Sequence, residues 1–240
     1  LIFAFAAGML AGLVTGILHT VLGIPDILSG ILTQIALYSV NMNIMGRSNQ
    51  AVSVDKYNLV VSLRYIPAAI VTTILFLVVI IGVLYWYFGT EQGFTIRATG
   101  CNPNMSRAQG INTNFAKVLA LVISNGLVGL AGGLYAQYQG NSDVNMGRGA
   151  IVIGLAAVII GEVLGEAIFG KRLNFIGRLA FVAIGAIIYY VVIAFVLWLG
   201  LPSEDMKLFS AIVVAIFLAI PYLRGKSKTS FKRAAKNGGN

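Results

Sequence analysis

Residues able to do chemistry are few in this sequence, and their spacing decides what they can do. His19 is the one histidine and Cys101 the one cysteine. Neither a His/Cys metal cluster nor an intrachain disulfide can be assembled from such a set, so no metal site is expected. Without companion ligands, His19 reads as a packing or interfacial group near the end of an apolar run, and Cys101 as a reduced thiol. Glu162 and Glu166 are four apart and share one helical face. A carboxylate within a membrane would be a proton-relay candidate, whereas one at a helix end, with Lys171 or Arg172 in reach, would be an ion-pair partner. Both readings stand. The sequence holds no clustered acid, base and nucleophile, so no catalytic residue is expected. It also holds no Gly-x-x-x-x-Gly-Lys-Ser/Thr phosphate loop, and no cofactor is expected in the chain itself.

Polar side chains set into apolar runs are the second informative group. Gln34, Tyr38 and Asn41 are spaced four and three apart, which puts them on one face of a helix. Thr33, Ser39 and Asn43 make the same segment unusually polar. Such helices border solute paths in transport proteins, so this face, together with Asn125 in a later glycine-rich run, is the candidate lining of a translocation path. The alternative is hydrogen bonding between helices, or a tyrosine at the membrane interface.

The third group lies in the polar stretch Glu91 to Asn114, far longer than a connection between neighbouring helices needs. Within it a short helix is expected from about Pro103 to Gln109, with Asn102 as N-cap, Pro103 in the first turn and Gly110 as the stop. A capped helix of this kind suits docking in a partner's groove.

These groups are positioned by elements that only a membrane accommodates. Of 240 residues, 58% are hydrophobic and 10% charged, with a mean hydropathy of +0.87; soluble domains carry about 25% charge. Seven apolar stretches of about 20 residues are each able to cross the hydrocarbon core as a helix. They are Leu1 to Leu22, Ile27 to Met45, Tyr65 to Gly89, Phe115 to Tyr138, Ala150 to Phe169, Phe175 to Gly200 and Leu208 to Leu223. The runs are continuous rather than alternating, which favours an all-α polytopic transmembrane helical bundle over a barrel. The net charge of +9 is concentrated: Arg224, Lys226, Lys228, Lys232, Arg233 and Lys236 all follow the last span. A basic tail there marks a cytoplasmic C-terminus, not a nucleic-acid site. The expected organisation is thus a membrane domain over 1–223 and a basic cytosolic tail over 224–240. Walking back from the tail puts 91–114 inside as well and Leu1 outside, so at least one further span is expected upstream. Gly8, Gly12 and Gly16, and Gly129 with Gly133, allow close helix contact, either as fixed packing or as a sliding surface.

The stretch 97–111 resembles the inner loop of the permease subunits of bacterial ABC importers of the branched-chain amino acid and ribose permease class. That loop reads approximately Arg-Ala-x-Gly-x-Asn-x-x-Ala-Ala-x-x-x-Gly-Ile, matched here by Arg97, Ala98, Gly100, Asn102, Gly110 and Ile111, with Met105 and Ser106 in place of the alanine pair. Ala11 to Pro25 is similar to the family's small-residue helix and Ile-Pro turn, and Asn125 to Gly133 to its glycine-rich span. Ala156 to Gly161 resembles another family run, with Glu162 where a second glycine is usual. The resemblance implies a multi-pass protein of the bacterial plasma membrane that is not itself an enzyme. It also implies that Arg97, Gly100, Asn102, Met105, Arg107, Ala108, Gly110 and Ile111 couple the chain to two cytosolic ATPase subunits, which use ATP and Mg. The further partners implied are a second permease subunit, identical or different, and an extracytoplasmic binding protein that delivers the solute. An amino acid is the favoured solute, aromatic or branched-chain, with a sugar or nucleoside as the alternative. An ion-coupled secondary transporter is the competing class, but it calls for two similar halves, and no convincing internal repeat is visible.

Overall fold

The computed structural model describes residues 1–52, 59–147, 150–170 and 174–198, together with Leu208, Ile212, Ala215 and Ala219. The expected last span is represented only by these four positions, all helical. The basic tail, Lys171 and Arg172 lie outside the described residues.

The chain forms two units, 1–147 and 148–240. In the first, α1 (Ile2–Thr20) and α2 (Asp26–Met45) precede a short strand β1 (Asn49–Ala51), and a 3-10 turn (Leu63–Tyr65) leads into α3 (Ile66–Phe88). Then come α4 (Glu91–Cys101), α5 (Pro103–Ala108), α6 (Thr113–Gln139) and strand β2 (Asn141–Asp143). The second unit contains α7 (Ala150–Phe169) and α8 (Phe175–Trp198). Among the described residues five helical segments are long and apolar enough to cross a membrane: Ile2–Thr20, Asp26–Met45, Leu63–Phe88, Thr113–Gln139 and Phe175–Phe195. They match five of the seven expected spans, and α7 forms over the bounds expected of another. Leu13, Val71, Leu75 and Val78 are among the many large apolar side chains exposed on these helices, as lipid-facing positions require.

The helices α1 and α6 run antiparallel and touch backbone to backbone. A Cβ built on Gly8 would run into the Asn125 carbonyl, one on Gly12 into that of Leu121, and one on Gly129 into that of Ala4. At Gly16 it would stand 3.1 Å from the Val118 Cα. In lipid, where burying apolar area gives no driving force, contact this close supplies the dispersion that holds helices together. The seam is close-packed from Ala4 to Gly16. The α7–α8 pair repeats the device: a Cβ on Gly161 would meet the Phe181 carbonyl, and one on Gly185 the Ala157 carbonyl. Ala156, Ile160, Tyr189 and Ile193 form the buried core of that pair.

Two findings differ from the sequence reading. The strands β1 and β2 pair antiparallel, Asn49 with Asp143 and Ala51 with Asn141, a small ribbon beside the helices of the described residues. Val60 N donates to Gln137 Oε1 at 3.1 Å nearby, so the ribbon fastens the connection after α2 to the C-terminal end of α6. The stretch 91–114 is also not one long loop, because its first 11 residues form α4. Thr90 starts that helix by accepting from Gly93 N at 3.4 Å, and Glu91 lies in its first turn, where a negative charge complements the helix dipole.

Candidate functional site

The stretch that follows α3 is an elbow of two short helices. Gly93 packs so closely on the Tyr87 carbonyl and the Phe88 backbone that a Cβ would collide, and this lets α4 fold back sharply from α3. Asn102 ends α4 and starts α5. Its Oδ1 accepts from Asn104 N and Met105 N, both at 3.1 Å, as the sequence pattern predicts. Pro103 occupies the first turn of α5. Ser106, buried within the elbow, donates from Oγ to Asn102 O at 3.1 Å, and its backbone carbonyl accepts from Ile111 N at 3.0 Å. Gly110 turns the chain at φ +81°, a left-handed conformation that favours glycine. Arg107 Nε then donates to Thr113 Oγ1 at 2.9 Å, tying the elbow to the first residue of α6, and Asn112 caps that helix by accepting from Phe115 N at 3.1 Å.

The elbow residues are consequently presented together. Arg97, Gly100, Asn102, Met105, Arg107, Ala108 and Gly110 are exposed, and Ile111 is half-buried. Met105 and Phe94 add exposed apolar surface, with the Arg97 guanidinium 5.9 Å from the Phe94 ring centre. Cys101 is an exposed free thiol. Chemically this is a rigid, hydrogen-bonded knob with apolar and cationic groups on its surface.

Gln34, Tyr38 and Asn41 are exposed along α2, as a shared helical face requires. The opposite face, with buried Ser29 and Thr33, meets α1, where Thr15 Oγ1 donates to Thr33 Oγ1 at 2.9 Å. Asn125 sits instead in the α1–α6 seam, its amide donating to Leu121 O at 2.9 Å. This unit by itself therefore does not draw Asn125 and the α2 face to one point. Glu162 and Glu166 are exposed on α7.

Sequence reasoning missed a hydrogen-bonded relay around His19. Its Nδ1 lies 2.7 Å from Asp26 Oδ1 and 2.8 Å from Ile24 O, and its Nε2 lies 2.9 Å from Lys117 Nζ. An ammonium only donates, so Nε2 is the acceptor and Nδ1 carries the proton toward Asp26 and Ile24. The relay borders an open cavity of about 240 Å³ lined by His19, Asp26, Ser29, Lys117, Ala120 and Leu121. The seven-residue separation of His19 and Asp26 across a Gly-Ile-Pro turn was the available signal, but Lys117 is distant in sequence and nothing local points to it.

Long apolar helices joined by seams of glycine are those of an integral membrane protein. Over residues 1–221 the chain matches the family described as branched-chain amino acid transport system / permease component, and it belongs to that family. It is therefore the permease component of an ABC transporter, a multi-pass protein of the plasma membrane, in a family that works with partner ATPases and binding proteins. It is 39% identical over 236 residues to a tyrosine transport system permease protein of Clostridioides difficile (strain R20291), covering 98% of this chain and 77% of that one. It is 28% identical to a galactofuranose transporter permease protein of Escherichia coli (strain K12), over 92% of this chain and 62% of that one. A nucleoside ABC transporter permease protein of Lactococcus lactis is 35% identical over 40% of this chain and 33% of its own length. No solved structure matches the chain significantly.

Proposed function

We propose that this permease conducts an amino acid, aromatic or branched-chain, into the cell. In this reading the 91–114 elbow is docked on cytosolic ATPase subunits, which use ATP and Mg, in an assembly with a second permease subunit and a solute-delivering binding protein. The observation that carries the coupling role is the elbow itself: α5 is capped at both ends, bonded to the foot of α6 and exposed, so a partner that moves it moves α6. A conformational change needs a source of differential free energy, and the partner ATPase supplies it. Rigid-body displacement of the elbow then passes into α3 and α6, which flank it, and opens the path alternately to either side. The polar face of α2 lines that path, and Asn125 of α6 is the further lining residue of this reading. The C-terminus and the elbow are on the cytosolic side.

The amino-acid assignment is supported by identity to the tyrosine permease along nearly the whole chain. A sugar or nucleoside is the second reading, supported by the galactofuranose and nucleoside relatives. A binding panel of amino acids, sugars and nucleosides on the cognate extracytoplasmic protein decides between them. Retention of tyrosine, phenylalanine or leucine is expected, and retention of only a sugar or a nucleoside would overturn the amino-acid reading.

A further inference from the structure

The helix α2 carries the proposed path face, yet it is held differently from its neighbours. Where α1 is interlocked with α6 by glycine, a Cβ on Gly30 of α2 would meet nothing within 4 Å. Two polar contacts join α2 to α1: Thr15 with Thr33 midway, and the Asp26–His19 pair at its first residue. At its first residue, the Asp26–His19 pair adds a side-chain tie to the covalent turn that joins α2 to α1.

Those bonds lead back to the elbow. Arg107 is bonded to Thr113 at the start of α6, Lys117 stands one turn further along that helix, and its ammonium meets the His19 ring. The ring in turn holds both the Asp26 carboxylate and the Ile24 carbonyl, on either side of Pro25. The charged groups that border the adjoining cavity, Lys117 and Asp26, are both bonded to the His19 ring, as in a brace. The His19 ring, on α1, thus joins Lys117 of α6 to Asp26 of α2.

We infer that His19 is a positioning residue for transport: through the Lys117–His19–Asp26 relay it makes the start of α2 follow the displacement that the elbow delivers to α6. The inference rests on the coupling reading above and adds the route by which that coupling reaches the path helix. A purely structural brace would set stability alone, whereas a transmitting one sets whether α2 responds to nucleotide.

The test uses the complete transporter with its ATPase and binding protein in lipid nanodiscs. In a Cys101→Ser background, single cysteines replace Ser39 on α2 or Ser124 on α6, both exposed, and their rates of reaction with a water-soluble maleimide are compared with and without ATP and vanadate. In the parent both rates are expected to change about fivefold or more. In His19→Phe the Ser124 site should keep its response while that at Ser39 falls below about twofold. Lys117→Met should do the same, and combining it with His19→Phe should add nothing, because the two belong to one relay. Asp26→Ala tests the same tie at a side chain that is 79% exposed, where folding is least at stake. A parent-like response at Ser39 in His19→Phe and Asp26→Ala overturns the inference. Joint loss at both sites also overturns it, as does a parent in which Ser39 responds and Ser124 does not. Absence of any response at Ser39 in the parent instead overturns the coupling reading on which the inference stands.

Discussion

Asn102 shows how much a single side chain determines in the elbow. Two backbone donors at the start of α5 depend on its Oδ1, and the helix is only six residues long, so it has little else to hold its first turn. Replacing an Asn cap by Ala costs about 1 kcal/mol, a large share of what so short a helix has. Asn102→Ala should therefore speed amide exchange across 103–108 and reduce ATP-driven uptake, with insertion in the membrane intact, while Asn102→Asp restores both. Loss of insertion, or unchanged uptake, would count against the elbow's role. The cap was legible in the sequence because its determinants, Asn102, Pro103 and Gly110, lie within nine residues of one another. The His19 relay was not, because Lys117 arrives through the antiparallel packing of α1 on α6, which no local pattern around His19 encodes. The same packing accounts for Asn125: its spacing showed an amide in an apolar run, but only the structure placed it in the α1–α6 seam.

Between elements, the glycine seams decide which helices pack backbone to backbone. An alanine in a helix is intrinsically favoured over glycine by about 1 kcal/mol, so the sign of a Gly→Ala change depends on what the new methyl meets. At Gly12 it meets the Leu121 carbonyl and the Val122 backbone, and α1 must be forced away from α6; overpacking of this sort costs about 1–3 kcal/mol, enough to outweigh the propensity gain. At Gly30 it meets open space. Thermal unfolding in detergent should consequently show Gly12→Ala well below the parent and Gly30→Ala level with it or above. Equal behaviour of the two variants would mean that the seam is not tight. The sequence exposed the α1–α6 seam through glycines four apart, with packing as the favoured reading and a sliding surface as the alternative; the collisions with backbone carbonyls show how close the contact is. It missed α4 because Gly93, Gly100 and two threonines in an 11-residue helix depress local propensity and leave no apolar stripe to read. Thr90 followed by Glu91 was the signal for its start.

At the scale of the whole molecule, the span pattern was the most legible feature, since continuous apolar runs of about 20 residues have few alternatives. The first unit also bears out the relative topology: the α1–α2 turn and the elbow lie at one end, joined through His19 and Lys117, and the ribbon lies at the other. The permease role entered through the 97–111 pattern and is shown by family membership. The solute was less legible, because the comparisons divide among tyrosine, galactofuranose and nucleoside permeases. In the proposed mechanism a separate ATP-hydrolysing partner works the path by acting on the elbow. The most direct test of that mechanism is uptake of the solute retained by the cognate binding protein into proteoliposomes holding the permease and ATPase subunits, with ion gradients collapsed. Uptake should require ATP, the ATPase subunits and the binding protein together; uptake driven by an ion gradient without nucleotide would contradict the account.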